Sequence, residues 1–378
     1  MAEIKRKLCS VQVIKEINNI PNADAIECAT VLGWQVVVKK GEFQVGDKCL
    51  YVEIDSLLPP NPAWDGFMAK CKYRVKTIRL RGQVSQGLIL PLLPFKDKIR
   101  MDSSEGTDVT EELGVTKWES KDDRESNTVT ESKKHKNFFV KFLMRFKIVR
   151  IIHAFIFGRK VDGFPNFIGG KTDEPRIQNM SNIFNKLPDE ECYVSEKVDG
   201  CSGSFYVKKD DSLIGRLFGK IDFFVCSRNL LLESENGIWW EVAKKQNIKS
   251  KLIKAYEDTR KEYCLQGECL GKVQGNKYKL KENDLYIFTI YNITDQKRLN
   301  YYEIMEFIEK YQIQFVPIIE TNFTLKDKDV KFMVDYADGF SKINSEVLRE
   351  GVVVRSKNDS SVLSVKAISN KFLLKFDI

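Results

Sequence analysis

The sequence predicts an α+β protein: a small antiparallel β-barrel at the N-terminus, then a larger domain in which antiparallel sheets alternate with helices. Three observations predict this. Residues 8–95 contain six short β-rich runs punctuated by turn residues. Residues 96–136 turn polar. From Phe164 onward helical and β-type runs are mixed, and Ile304, Phe307, Ile308 and Tyr311 share one face at helical spacing. A chain of 378 residues is long enough for two or three domains, each with its own core.

In order, the first β runs are residues 11–17, 25–31, 34–38, 49–54, 74–80 and 87–90, with turns at Asn22-Ala23-Asp24, Gly41-Glu42 and Gly46-Asp47. Short strands at this spacing build a small barrel or sandwich. Basic and aromatic residues interleave along them: Trp34, Lys39, Lys40, Phe43, Lys72, Tyr73, Arg74, Lys76, Arg79 and Arg81. A solvated barrel face accounts for those charges; so does an OB fold that holds a nucleic-acid strand. Residues 96–163 read as a linker. Its later part, 138–157, mixes apolar residues with Lys141, Arg145, Lys147, Arg150 and His153, too much charge for a bilayer span. An amphipathic helix packed between domains is expected there, in preference to one lying on a membrane. In the last part, residues 234–263 and 301–311 read as helices, and 223–226, 285–290 and 351–355 as strands.

Hydrophobic and charged fractions of 43% and 30% are those of a soluble globular protein. A net charge of +8 favours an anionic partner, nucleic acid before membrane surface. Nine cysteines at irregular spacings fit neither a disulfide framework nor a zinc site, and two histidines speak against His-based metal or triad chemistry. The first residues carry charge with no apolar run behind it, so an intracellular protein, cytoplasmic or nuclear and not secreted, is expected.

The chemistry centres on Glu196-Lys197-Val198-Asp199-Gly200. Lys-x-Asp-Gly is a short motif, and Lys160-Val161-Asp162-Gly163 is a second copy. Context separates them. Lys197 lies between the strand-like runs 192–195 and 204–207, whereas Lys160 ends the basic apolar segment and leads into Phe164-Pro165. Lys197 is therefore read as the residue that bonds covalently to a nucleotide, and Lys160 as coincidence. Further polar groups follow at strand ends. Ser227-Arg228-Asn229 offers a guanidinium fork for phosphate or ribose. Gln266-Gly267-Glu268, Gln274-Gly275-Asn276-Lys277, Glu350-Gly351 and Lys366 come after it. Each alone is an ordinary turn or surface residue; their order is the signal.

That order resembles the covalent nucleotidyltransferase superfamily of ATP-dependent nucleic-acid ligases and RNA capping enzymes. Lys197 to Gly200 resemble motif I, Gly267-Glu268 motif III, Glu350-Gly351-Val352-Val353 motif IV, and Val365-Lys366 motif V. Thr172-Asp173-Glu174-Pro175-Arg176-Ile177-Gln178-Asn179, Cys226-Ser227-Arg228-Asn229 and Gln274-Gly275-Asn276 are similar to the RNA ligases of amoeboflagellate and deinococcal type. In that family an OB domain precedes the nucleotidyltransferase domain. Asn22-Ala23-Asp24-Ala25-Ile26-Glu27, Gly33-Trp34 and Glu53-Ile54-Asp55-Ser56 resemble its OB domain. Residues 121–160 look like an insertion. Two departures stand out: Ile368 occupies the second cation position of a Lys-x-Lys motif V, leaving Lys371 or Lys375 to supply it, and Pro175 stands where an acid is common. DNA ligases and capping enzymes carry their OB domain after motif V, and only a few residues follow Lys366 here, which favours RNA ligase.

The resemblance implies domains at 1–95 (OB, RNA-binding), 96–163 (linker) and 164–378 (adenylyltransferase). It implies ATP and a divalent cation, Mg2+ or Mn2+, as cofactors. The implied partner is RNA with 3′-hydroxyl and 5′-phosphate ends in a nicked duplex, sealed by a monomer with no membrane association. Lys197 would form lysyl-AMP. Glu196, Asp199, Gly200, Arg176, Arg228, Glu268, Glu350 and Lys366 would bind the nucleotide, with Glu268 and Glu350 as metal ligands. Trp34, Arg74, Lys76, Arg79 and Arg81 would bind RNA. Because free lysine is protonated at neutral pH, burial together with Lys366, Arg228 and the metal is expected to disfavour the Lys197 ammonium. All ATP-handling motifs lie after Phe164, so lysyl-AMP formation is expected of the last domain alone. The alternatives are a DNA-joining or capping enzyme with the same chemistry, and a non-catalytic OB-fold RNA binder. Lys197, Glu268, Glu350 and Lys366 together argue against the second.

Overall fold

β1 (Cys9–Asn19) buries its first half and exposes its second, because it serves two partners in turn. Residues 9–13 pair with β4 (Lys48–Val52) and residues 14–19 with β2 (Ile26–Val31), with a register shift between Ile14 and Glu16. A bulge there bends the strand, as closing a small barrel requires. β3 (Trp34–Lys39) and β9 (Leu88–Pro91) complete an antiparallel sheet in the order β3-β2-β1-β4-β9. Between β4 and β9 run β5 (Ser56–Leu57), β6 (Arg74–Val75), β7 (Thr77–Leu80) and β8 (Gln83–Gln86). The expected run at 74–80 is thus cut at Lys76. β7 and β8 form a hairpin whose tip residues, Arg81 and Gly82, both have positive φ, the two-residue turn that suits strand twist. The structure, a computed structural model, describes residues 6–118, 163–170, 172–210 and 217–376. Lys160 and the segment 138–157, with its expected interdomain helix, lie outside them.

The segment after Phe95 is not a linker at its start. Ile99, Val109, Leu113 and Val115 are buried with Val11, Leu50, Trp64 and Leu90. β10 (Thr116–Lys117) pairs with β5. The polar residues between positions 99 and 115 form the turns between these buried anchors.

The C-terminal half has two antiparallel sheets. One runs β17-β11-β18-β19, from β11 (Cys192–Lys197), β17 (Ile318–Phe323), β18 (Gly351–Ser356) and β19 (Ser364–Ile368). The other runs β13-β12-β14-β15-β16, from β12 (Cys201–Lys209), β13 (Ile221–Ser227), β14 (Tyr263–Leu270), β15 (Asp284–Asn292) and β16 (Lys297–Arg298). Three helices bury an apolar face on the second sheet: α1 (Ile238–Lys245), α2 (Ile248–Thr259) and α3 (Tyr301–Lys310). α3 starts where expected, on a reciprocal Asn300–Glu303 capping box. The single helix expected over 234–263 is two, broken where Asn247 takes a left-handed φ of 54°. α4 (Val330–Ala337) covers the first sheet, and α5 (Asn370–Phe376) follows β19.

The halves share a core. Ile368 and Leu373 pack into the cluster of Trp34, Val36, Tyr51 and Ile89. Trp34, expected on an RNA-binding surface, is completely buried, and its indole N–H donates to Asn179 Oδ1 at 2.6 Å. Asn179 in turn donates to Glu53 Oε2 at 3.2 Å, and Gly33 N donates to the Gln178 carbonyl at 2.9 Å. Burying a ring of this size is worth roughly 5 kcal/mol at most. Trp34 is thus a docking residue. Its aromatic character signalled burial, which charge interleaving alone could not distinguish from a stacking platform.

Candidate active site

Lys197 is the last residue of β11, and Val198-Asp199-Gly200 carries the chain from one C-terminal sheet to the other. The nucleophile candidate therefore stands between the sheets. Gly200 is required for the crossing, since a Cβ there would fall on the Cys269 carbonyl. Its N–H donates to Glu268 Oε1 at 3.2 Å, which fixes motif III of β14 beside motif I. β18 pairs with β11 so that Gly351 lies opposite Lys197, and a Cβ on Gly351 would strike the Ala367 carbonyl of β19. That close passage brings Glu350 to the lysine: Lys197 Nζ donates to Glu350 Oε2 at 2.6 Å. Lys366, opposite Val353 on β19, reaches Asp173 Oδ1 at 2.5 Å, and Arg228 Nη2 lies 3.7 Å from Asp173 Oδ2.

These residues line a cleft of about 230 Å³. Phe288, Val316, Val353 and Ile368 give it an apolar side. Arg176, Arg228 and Lys366 give it cations, with Arg355 and Glu174 paired at 2.6 Å. The N-terminal half contributes as well: Arg6, Asp55 and Lys117 reach the same cleft. Arg6 Nε donates to Glu53 Oε1 at 2.9 Å, and Arg176 Nη2 donates to Asp55 Oδ2 at 3.2 Å. Two of the Arg176 nitrogens, Nε and Nη1, are buried without a protein partner, as is Arg355 Nη1. Buried donors of this kind call for an acceptor.

The electrostatics run opposite to expectation at the nucleophile. Burial works to lower the Lys197 pKa, but the carboxylates of Glu350, Glu268 and Asp199 more than reverse it and hold the ammonium form. Burial raises the Glu268 pKa to about 8; Lys197 opposes this, and Asp199 and Glu350 add to it. Lys366 is lowered by burial, against the pull of Asp173 and with the repulsion of Lys197 and Arg176.

Of the residues expected to bind a nucleotide, Lys197, Glu196, Arg176, Arg228, Glu268, Glu350 and Lys366 all line the cleft. The Glu196 carboxylate faces away from Glu350, because neighbours on a strand alternate; it accepts from Lys342 N at 2.8 Å. Asp199 lies beside the cleft in an ion pair with Lys277, and its N–H donates to the Tyr278 hydroxyl at 3.1 Å. Lys371, one of the two candidates for a second motif V cation, does not line the cleft and lies 3.4 Å from Asp338. Arg74 sits 3.6 Å over the Trp118 ring and 3.8 Å from Asp55. Arg79 and Arg81 are exposed on the hairpin, Lys76 is half-buried beside it, and none of the three reaches the cleft. Sequence reasoning missed Phe288, Val316, Val353, Arg355, Arg6, Asp55 and Lys117 as cleft residues. Alternation along the run 285–290 separates Tyr286 and Phe288 from the residues of the opposite face. Nothing local to Arg6 or Lys117 announces a role.

Comparison with known proteins agrees with this arrangement. An OB-fold domain model matches residues 8–92, and an RNA ligase model matches residues 190–375. No curated protein matched. Among solved structures, a variant of Naegleria gruberi RNA ligase with ATP and Mn is 32% identical, with a TM-score of 0.78 over 98% of this chain and 99% of that one. The same ligase with PPi is 32% identical, with a TM-score of 0.77 over 98% of each chain. With its lysine, its two glutamates and its motif V lysine around one cleft behind an OB fold, the chain belongs to the RNA ligase family.

Proposed function

We propose that this protein joins a 3′-hydroxyl and a 5′-phosphate RNA end in a nicked duplex at the expense of ATP, acting as a monomer. The observation that supports this best is the position of Lys197 between the paired carboxylates of Glu350 and Glu268 and an apolar wall. Phe288, Val316 and Val353 suit an adenine ring, and Arg176, Arg228, Lys366, Arg6 and Lys117 suit its phosphates. Arg176 brings two unpaired buried donors to that side.

In the first step Lys197 Nζ forms a bond to the α-phosphorus and pyrophosphate leaves with the pair of electrons of the broken P–O bond. AMP then passes to the RNA 5′-phosphate, and the 3′-hydroxyl attacks that phosphorus with AMP as leaving group. Naegleria gruberi RNA ligase has been solved with ATP and Mn and with PPi, and the residues here suit the same set. Among the described residues no three His, Cys, Asp or Glu side chains form a cage. Glu268 and Glu350 would hold such an ion through their carboxylate oxygens, with phosphate and water supplying the rest, as Mg2+-type ions are commonly bound. When bound there, the ion would supply positive charge that neutralises phosphate and offsets the carboxylates that hold Lys197 protonated. With that pull offset, burial and the neighbouring Lys366 favour the neutral amine.

The test is incubation with α-labelled ATP, followed by chase onto a 5′-phosphorylated nicked RNA duplex. Label on the wild-type chain, absent from Lys197→Ala and chased into sealed RNA, is expected. Absence of label, or sealing of nicked DNA in preference to RNA, overturns the reading.

A further inference from the structure

Beside the cleft, three elements from distant parts of the chain meet in one ridge. β7 of the hairpin packs on α5, and Lys277 of the loop after β14 lies 5.5 Å over the Phe372 ring and 5.7 Å over the Phe376 ring of that helix. Lys277 also pairs with Asp199, two residues from the nucleophile. The ridge thus runs from the mouth of the cleft out to the hairpin tip.

Its charge is one-sided. Residues 77–86, 271–281 and 370–376 hold eight lysines and arginines and no aspartate or glutamate, in a chain that otherwise carries as many acids as bases, 53 of each. Arg79 and Arg81 are exposed at the hairpin, and Lys371 and Lys375, one helical turn apart, are exposed on α5. Lys371 and Lys279 pair with Asp338 and Glu346 at 3.4 and 3.8 Å, distances at which surface pairs are weak and yield to a stronger anion. The ridge presents no open aromatic face. Phe372 is buried, Phe376 is half-buried with the Lys375 ammonium 5.1 Å over its ring, and the large apolar residues exposed on the hairpin are aliphatic, Ile78 and Leu80. Single-strand binders stack unpaired bases on aromatic rings. Duplex RNA keeps its bases stacked and offers phosphates and 2′-hydroxyls.

We infer that this ridge is the docking surface for the duplex arm of the RNA beside the nick, with Arg79, Arg81, Lys371 and Lys375 on its phosphates and Lys277 coupling the ridge to Asp199. The inference rests on the RNA-joining reading above and adds where the substrate lies.

The experiment measures binding of a nicked RNA duplex carrying a 5′-phosphate to the full chain by fluorescence anisotropy across a salt series. The variant R79Q/R81Q/K371Q/K375Q is expected to bind about tenfold or more weaker near 0.1 M salt, with a log–log salt slope shallower by about 3. The charge-preserving variant R79K/R81K/K371R/K375R restores binding and slope, which a mere loss of fold would not allow. K249Q/K254Q, two exposed lysines of α2, leaves both unchanged. A wild-type slope in the quadruple Gln variant, failure of the charge-preserving variant to restore it, or equal loss on single-stranded RNA overturns the ridge as a duplex site. A wild-type chain that binds the duplex through the ridge but seals no RNA overturns the RNA-joining reading and leaves the ridge standing.

Discussion

Glu268 gives a quantitative handle on the proposed metal site. Its carboxyl is pushed up to about 8 by burial and by the neighbouring carboxylates. At pH 7 it is therefore about nine-tenths protonated, and at pH 9 about one-tenth. A divalent cation needs the carboxylate, so binding at pH 7 must displace most of a proton from this residue and is handicapped by roughly 1 kcal/mol. Mn2+ affinity should rise about tenfold from pH 7 to pH 9 and then level off. The assay is calorimetric titration of Mn2+ into the full chain in two buffers of different ionisation enthalpy, at both pH values. Glu268→Gln should remove the released proton and the pH dependence together, while Lys197→Ala reports any second proton lost from the lysine. Release that survives in Glu268→Gln, or affinity flat between pH 7 and pH 9 in the wild type, refutes the assignment. The same shift has a stability consequence. A carboxyl raised above its unfolded value near 4.3 weakens the fold only where the unfolded chain is ionised, so the penalty begins above about pH 4, grows to about pH 8 and is then constant. Glu268→Gln should therefore stabilise the protein by about 1–3 kcal/mol at pH 7 and not at all at pH 4, a comparison that thermal melts settle.

Lys197→Ala should abolish ATP-dependent labelling while Lys160→Ala retains it, read by autoradiography of the denatured chain; the reverse pattern would mean that strand context is no guide. Arg6→Ala should slow lysyl-AMP formation at least about tenfold in a single-turnover experiment, because it removes a cation from the cleft; an unchanged rate would place Arg6 outside nucleotide handling. Trp34→Ala should lower stability by about 3–5 kcal/mol and Trp34→Phe by about 1–2 kcal/mol in denaturant melts, since the first empties a buried site and the second keeps a six-membered ring but loses the five-membered ring and its N–H to Asn179. Equal costs would show that the hydrogen bond, not the ring, holds the halves together.

What was legible in the sequence was whatever is written locally. β-rich runs bounded by turn residues marked the strands, and the shared face of Ile304, Phe307, Ile308 and Tyr311 marked α3. The order of Lys197, Glu268, Glu350 and Lys366 was legible because each sits at a strand end next to a glycine or within a β run, where backbone geometry restricts the choice of residue. The break at Asn247 was not, since its cause is one residue in the left-handed region in a segment that otherwise reads as continuous helix. Nor was the packing of residues 96–118, whose few apolar anchors, Ile99, Val109, Leu113 and Val115, are spaced too widely to show a period.

The expectation that the last domain alone forms lysyl-AMP rests on motifs, whereas the cleft also takes Arg6, Asp55 and Lys117 from the N-terminal half. Motifs record the residues that touch the reacting atoms within one domain, and every one of them follows Phe164. A cleft formed where two bodies meet also takes whatever the second body presents, and no spacing in the sequence encodes that juxtaposition. Here the docking of Trp34 against Asn179 sets it. Asn179 holds Glu53, Glu53 holds Arg6, and Asp55 two residues on holds Arg176, so each link from the barrel to the cleft is a hydrogen bond. A fragment that begins near Asn166 keeps Lys197, Glu268, Glu350 and Lys366 but loses Arg6, Asp55 and Lys117 from the cleft and uncovers Ile368 and Leu373. It should therefore form lysyl-AMP slowly as well as seal poorly, whereas a barrel that served RNA alone would leave the first step intact. Adenylylation of that fragment at the full-chain rate, with its fold confirmed by circular dichroism, would show that the barrel residues in the cleft are bystanders.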